Sequence, residues 1–223
     1  MGMNFEQARF NMIEQQIRPW DVLDPETLDL FSVVKREDFV PRHYRELAFA
    51  DVEIPLTSPQ RPGQCLLIPC VEARIVQALG IKSTDKVLEV GTGSGYMAAL
   101  LAARAEFVYS VEIDPGLVNV ARDNLQRAGV ANVSVDLGDA ASGWDLYAPY
   151  DVIVVSGSLP TLPETLLRQL RVGGRLIAIV GEMYPMEVRR VKRTQENAFS
   201  SESLFETMAA PLFNVLPPAQ FVF

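Results

Sequence analysis

The sequence predicts an α/β protein built on a doubly wound sheet and preceded by an N-terminal helical extension. Three observations predict it. Short runs rich in Val and Ile alternate with helical patterns from Lys86 to Val180. One such run, Val87-Leu-Glu-Val90, passes through closely spaced glycines straight into a helical pattern. Two further apolar-patterned runs then end the sheet as an antiparallel pair. With 223 residues, 48% of them hydrophobic, the chain can bury one large core. Residues 1–80 are expected to pack on a core of residues 81–223, making one compact domain.

Taken in order, Phe5, Ala8, Met12, Ile13 and Ile17 recur at helical spacing, predicting an amphipathic helix over residues 4–17 that Arg18-Pro19 ends. Asp24 is the expected N-cap and Pro25 the first residue of a second helix, with Leu28, Phe31 and Val34 as its apolar stripe. Lys35 to Pro41 lead into a short third helix through Tyr44 and Leu47. These helices suit either the covering of a sheet edge or the walling of a cleft, and the two are compatible. Residues 51–69 are the least regular stretch, because Pro55, Pro59, Pro62 and Pro69 exclude a long helix or a central strand. The segment Pro62-Gly-Gln-Cys-Leu-Leu-Ile-Pro-Cys70 is an apolar loop, either packed or a lid, before a helix from Val71 to Leu79 with Val71, Ile75, Ala78 and Leu79 inward.

Beyond the glycines a helix is expected from Tyr96 to Arg104 and a strand from Val108 to Val111, which Glu112 ends. Asp114-Pro115 opens a helix to Ala128, closed by Gly129. Strands follow at Asn132–Leu137 and Tyr150–Ser156, then a helix from Pro163 to Leu170. Gly173-Gly174 turn the chain into a strand at Arg175–Val180. Met186–Val191 and Ser203–Met208 complete the sheet, joined by a polar, serine-rich hairpin.

The organising motif is Glu89-Val-Gly-Thr-Gly-Ser-Gly95. Glycines between a strand and a helix bring backbone close to a nucleotide-like ligand, where a side chain would block the approach. A dinucleotide fingerprint is G-x-G-x-x-G, with the pyrophosphate on the helix N-terminus. Here the spacing is G-x-G-x-G, through Gly91, Gly93 and Gly95, and Glu89 precedes it. A carboxylate there would repel a pyrophosphate and suits a ligand carrying an ammonium group, such as the methionine end of S-adenosylmethionine. Glu112 is placed to accept both hydroxyls of a ribose, a feature S-adenosylmethionine shares with NAD. Asp139, in Gly138-Asp-Ala140 at the end of the next strand, is placed to accept from an adenine amino group, unless it serves an Asx turn. The alternative for the whole motif is a plain βαβ turn whose glycines serve packing.

The formal charge of -8, from 28 acidic and 20 basic residues, disfavours a protein that coats nucleic acid or a membrane surface. No apolar run approaches the roughly 18 residues of a membrane span, and the first ten residues lack the apolar core of a signal peptide. Cys65 and Cys70 are not spaced as C-x-x-C, and with one histidine, His43, no metal constellation is expected. Reduced thiols and a cytoplasmic location are the default. Ser156-Gly-Ser-Leu-Pro160 stands where methyltransferases acting on the exocyclic amines of bases carry an Asn/Asp-Pro-Pro-aromatic motif, so that activity is disfavoured.

With these pieces in place, the sequence resembles the protein-L-isoaspartate O-methyltransferase family over nearly its whole length. The resemblance is carried by Met12-Ile-Glu-Gln-Gln-Ile-Arg18, Val40-Pro-Arg42, Ala48-Phe-Ala-Asp51, Val87-Leu-Glu-Val-Gly-Thr-Gly-Ser-Gly-Tyr96, Gly138-Asp139, Gly143-Trp144, Ala148-Pro-Tyr-Asp151 and Gly173-Gly-Arg-Leu176. It implies a seven-stranded Rossmann-like methyltransferase sheet and methylation of the misplaced carboxylate of isoaspartate in damaged protein, the first step of its repair. It implies a protein or peptide substrate, with S-adenosylmethionine as cofactor. Glu89, Gly91, Thr92, Gly93 and Gly95 would hold its methionine end, Glu112 the ribose with Ile113 beside it, and Asp139 with Ala140 the adenine. The substrate loop would be Gln64, Cys65, Leu66 and Leu67. There the family has Gly-Gln-Thr-Ile-Ser-x-Pro, and its serine contacts the reacting centre; this chain has Gly63-Gln-Cys-Leu-Leu-Ile-Pro69. Leu67 cannot hydrogen-bond a carboxylate, and losing one oriented donor commonly costs about two to three powers of ten in rate. No catalytic side chain is therefore assigned. The loop also leaves open a relative with a more apolar acceptor, and a non-catalytic cofactor-binding module is a third reading.

Overall fold

The computed structural model describes residues 3–57 and 63–215. The chain enters through α1 (Phe5–Met12), capped by Asn4, whose side chain accepts from the Gln7 amide at 3.2 Å. Helical structure then continues past its expected end. Ile13–Ile17 form a π-helical turn and Arg18–Trp20 a 3-10 turn, and the chain leaves at Asp21 (φ 61°) instead of at Arg18-Pro19. Pro19 is tolerated because it lies at the start of the 3-10 turn, where its missing N–H is not needed. The wider turn lets Ile13 and Ile17 both face the core while Gln16 reaches the Phe49 carbonyl at 2.9 Å.

α2 (Pro25–Val33) begins as predicted, with Asp24 accepting from the Thr27 amide and hydroxyl at 3.0 and 2.6 Å. Val34 lies one residue past the helix, packed half-buried on the core. The third helix is a 3-10 segment, Arg42–Phe49, which buries Ala48 and Phe49 and leaves the expected Leu47 exposed. The irregular stretch contains a small antiparallel pair, β1 (Ile54–Pro55) and β2 (Cys65–Leu66), with Ile54 opposite Leu66. Pro59 and Pro62 lie outside the described residues. α3 (Pro69–Leu79) starts two residues early, with Pro69 in its first position.

The main sheet is built from β3 (Lys86–Val90), α4 (Tyr96–Ala102), β4 (Phe107–Glu112), α5 (Pro115–Arg127), β5 (Val133–Leu137), β6 (Tyr150–Leu159), α6 (Glu164–Arg168), β7 (Leu170–Val180), β8 (Met186–Gln195) and β9 (Ala198–Thr207). Its seven strands run in the order β5-β4-β3-β6-β7-β8-β9. The first five are parallel, and β8 and β9 are antiparallel. Two boundaries move. α6 is shorter than predicted because Leu170 already pairs with Tyr150, so β7 runs through Gly173-Gly174 with a register shift. The serine-rich stretch is strand, not hairpin loop: Ser200, Ser201 and Ser203 pair with Lys192, Val191 and Arg189.

Strand side chains alternate between two apolar layers. Val87, Val108, Val152, Val154 and Ile177 pack with Leu100, Val71, Phe31 and Met12, so the N-terminal helices complete one face. Leu88, Val90, Val111, Ile153, Val155 and Leu176 pack with Leu166 and Tyr150 on the other. From β3 the chain winds outward to β4 and β5, then returns to β6 on β3's other side. The reversal opens a crevice beyond the carboxyl ends of β3 and β6, the place where open α/β sheets bind ligands.

Candidate active site

The Gly91-Thr-Gly-Ser-Gly95 turn occupies that crevice. Gly91, Gly93 and Gly95 have φ of 90°, 55° and 87°, and a Cβ on Gly93 would stand 2.9 Å from Leu56 Cδ1. The Gly91 amide donates to Val111 O at 2.9 Å, which ties the turn to β4.

A cleft opens above the turn. Its lining includes Gly91, Gly93, Glu112, Ile113, Asp139 and Ala140 among the predicted cofactor residues, and Gln64, Cys65 and Leu67 from the predicted substrate loop. A second, smaller cavity lies beside it, lined by Leu66, Glu72, Glu89, Thr92 and Met97 and sharing Leu56, Cys65, Leu67, Gly91, Gly93 and Ser156 with the first. Strand alternation explains the split within the loop: Leu66 turns inward from Cys65. Gly95 lines neither cavity; it stands as the left-handed N-cap of α4.

The carboxylates do different work. Glu112 accepts from the Gly93 amide at 2.8 Å through Oε2 and from the Asp114 amide at 3.0 Å through Oε1. It braces both the glycine turn and the start of α5, and it keeps spare lone pairs toward the cleft. Asp114 in turn caps α5, accepting from Gly116 and Leu117 amides at 2.7 and 3.1 Å. Asp139 accepts from the Ala141 amide at 3.1 Å, the Asx-turn geometry, while Oδ2 accepts from Asn214 Nδ2 at 2.9 Å. It lines the cleft as well, so the turn and a ligand contact are compatible.

Glu89 lies deeper than its position in the motif suggests. It is fully buried under the turn, where Ser110 donates to Oε2 at 2.6 Å and Ser156 to Oε1 at 3.2 Å. Thr92 and Ser110 hydroxyls meet at 2.5 Å, so Thr92 serves this buried network. Burial pushes the Glu89 carboxyl up to about 8, against the two serine bonds, with Glu112 and Glu72 adding to the rise. Burial and nearby acids likewise raise both thiols to about 12, Cys65 beside Glu53 and Cys70 against Asp51, so neither is a nucleophile at neutral pH. Cys70 is a buried filler.

Sequence reasoning missed the chain's last described segment. Ser158 N donates to Ala210 O at 2.9 Å and Leu212 N to Ser158 O at 3.0 Å, laying Ala210 to Phe213 along the cleft. No periodicity announces this segment. The available signal was Gly157, whose Cβ would stand 2.7 Å from Leu212 Cδ2.

No lysine, arginine or histidine is among the described residues lining the cleft, while Glu112 and Asp139 face it and Glu89 lies behind it. That acceptor set fits S-adenosylmethionine, which brings two positive charges, a ribose diol and an adenine. Among the described residues no helix is long and apolar enough to cross a membrane.

Comparison with known proteins points the same way. The family model for protein-L-isoaspartate(D-aspartate) O-methyltransferase matches residues 7–215. Protein-L-isoaspartate O-methyltransferase 2 of Pelobacter propionicus is 41% identical over 210 residues, covering 94% of this chain and 92% of its own. Protein-L-isoaspartate O-methyltransferase of Methanoculleus marisnigri is 42% identical over 186 residues, 83% of each chain. A crystal structure described as a protein-L-isoaspartate O-methyltransferase from Plasmodium falciparum, in complex with S-adenosyl-L-homocysteine, superimposes with a TM-score of 0.74 at 18% identity, covering 95% of this chain and 99% of that one. It shares the fold.

Proposed function

The chain belongs to the protein-L-isoaspartate(D-aspartate) O-methyltransferase family, and from that premise we propose that it methylates the misplaced, free carboxylate of isoaspartate in damaged protein. It is an S-adenosylmethionine-dependent O-methyltransferase. The bound cofactor supplies an electrophilic methyl group on a sulfonium. An oxygen of the acceptor carboxylate forms the bond to that carbon as the carbon–sulfur bond breaks and its electron pair passes to sulfur. The products are a methyl ester and S-adenosylhomocysteine. A carboxylate is ionised at neutral pH, so no general base is required, and one histidine in the chain is no obstacle. The protein's part is alignment and exclusion of water.

The observation that carries the reading is the acid-lined cleft at the β3–β6 crevice, with the Gln64–Leu67 loop as one wall. Glu112 would hold the ribose, Asp139 and Ala140 the adenine, and Glu89 the ammonium from beneath. Replacing Glu112 with alanine removes charge-assisted acceptors for the ribose and releases the Gly93 amide. It is expected to weaken S-adenosylmethionine binding by about 1–3 kcal/mol. Unchanged affinity by calorimetry would remove Glu112 from the site.

The activity is tested by methyl transfer from labelled S-adenosylmethionine to an isoaspartyl peptide, with the aspartyl peptide as control. Selective labelling is expected. The family's acceptor would be wrong for this chain if cofactor bound and neither peptide were labelled. That outcome would favour a more apolar acceptor, the reading suggested by Leu67 on the cleft wall. A cytoplasmic location accords with the two unpaired cysteines, and a protein substrate with the family.

A further inference from the structure

A carboxylate pressed against an apolar wall needs an oriented donor, and Leu67 does not offer one from its side chain. Leu67 is 6% exposed, and its carbonyl accepts from Arg36 Nη2 at 2.5 Å. Arg36 is itself sealed from solvent and paired with Glu72. The donor must come from another residue lining the two cavities.

Two side chains with a donor hydrogen line both cavities, Cys65 and Ser156. The Cys65 thiol is a weak donor turned toward the Gly63 carbonyl at 3.9 Å. Gln64 lines only the larger cleft, and its amide donates to Asp114 at 3.4 Å. Ser156 stands at the carboxyl end of β6, where the register against β7 slips between Val154 and Ser158. Such a slip re-aims side chains at the end of a strand. Here it separates two serines. Ser158 turns inward and donates to Ala209 O at 3.1 Å, while Ser156 stays beside the glycine turn, its Cβ 3.9 Å from where a Cβ on Gly91 would be. The 3.2 Å bond from Ser156 to Glu89 is the looser of the two that Glu89 accepts, and rotation about one torsion redirects the hydroxyl.

Resting on the isoaspartyl reading above, we infer that the Ser156 hydroxyl binds the methyl-accepting carboxylate, in place of the hydroxyl that the loop lacks at Leu67. It acts on the oxygen that does not attack. The attacking oxygen loses charge as its bond to carbon forms, so a donor there would oppose transfer. A donor on the other oxygen offsets desolvation and fixes the line of approach.

The test uses the full chain with S-adenosylmethionine and an isoaspartyl peptide. Ser156→Ala is expected to lower kcat/KM by about a hundredfold, with S-adenosylhomocysteine affinity by calorimetry within about threefold of wild type. Ser156→Thr keeps the hydroxyl and most of the activity. Leu67→Ser placed in the Ser156→Ala background restores at least about tenfold, because it returns a donor from the opposite wall. Unchanged turnover in Ser156→Ala overturns the inference alone. So does an equal loss of cofactor affinity and turnover, which would mean that Ser156 acts only through Glu89. A wild-type protein that binds the cofactor but labels no isoaspartyl peptide overturns both the acceptor and the inference.

Discussion

Replacing Arg36 with methionine is expected to destabilise the protein by about 3–5 kcal/mol, lowering its melting temperature by roughly 10 °C. Arg36 is fully buried, its guanidinium lying 5.1 Å from the Tyr96 ring centre, paired with Glu72 and bonded to the Leu67 carbonyl. Removing it leaves two acceptors without a partner in a site closed to water, and that desolvation is not recovered. Glu72 already titrates at about 7: burial outweighs the attraction of the arginine. Without Arg36 its carboxyl would stay neutral, which softens the loss but does not refill the contact with Leu67. The double variant Arg36→Met, Glu72→Leu should recover part of the stability, because an apolar pair of similar volume can replace a buried ion pair at little cost, while the Leu67 carbonyl stays without its donor. Thermal melts of the two single variants and the double close the cycle. An Arg36→Met protein melting within about a degree of wild type would show that the pair is dispensable. Because Arg36 also anchors the loop residue Leu67 through its backbone, the double variant should fold well yet lose acceptor affinity.

The contrast between Arg36 and the glycine turn shows what could be read in the sequence. The strand, turn and helix from Val87 through Tyr96 and the Asp114 cap of α5 depend on neighbours a few residues away, so pattern alone placed them. Arg36 sits in the Lys35 to Pro41 stretch, which pattern marks only as the lead into a short helix, and only the fold brings Glu72 and Leu67 to it. The same holds for the segment after β9. Its two backbone bonds to Ser158 form across 52 and 54 residues, with no periodicity to mark them. The helical start failed differently. Apolar spacing announced a helix over residues 4–17 correctly, but spacing cannot distinguish an α turn from the π turn that Ile13–Ile17 adopt. For Glu89, the motif gave the residue and its neighbourhood but not its depth, because the serines that bond it come from two other strands, β4 and β6.

That depth yields a pH signature. Glu89→Gln should become progressively more stable than wild type as pH rises from about 4.5 to about 8. The sign follows from the proton count. In the unfolded chain the carboxyl titrates near its ordinary value of 4.5, whereas burial holds it at about 8 in the folded protein. Between those values the folded state binds a proton that the unfolded state has released, so stability falls as pH increases. Its contribution is intact below about 4.5 and lost once the pH passes about 8. Glutamine keeps the shape, accepts from one serine and has no proton to lose. The wild-type deficit should therefore widen by a few kcal/mol across that window, at ~1.4 kcal/mol per pH interval of one. Glu72 drifts in the same direction in both proteins, so its own drift cancels in the difference apart from its coupling to Glu89. Melting curves of ligand-free protein at intervals from pH 5 to pH 9 make the measurement, and parallel curves would mean that Glu89 is already ionised in the folded state. The same residue is proposed to face the cofactor's ammonium, whose charge would draw the proton off. Binding at pH 7 should then release a proton, seen as a dependence of the calorimetric enthalpy on the buffer's ionisation enthalpy. Glu89→Gln should lose that release and bind more weakly, so the substitution that stabilises the empty fold at high pH weakens the site. This is the trade expected of a charge buried for a ligand's benefit.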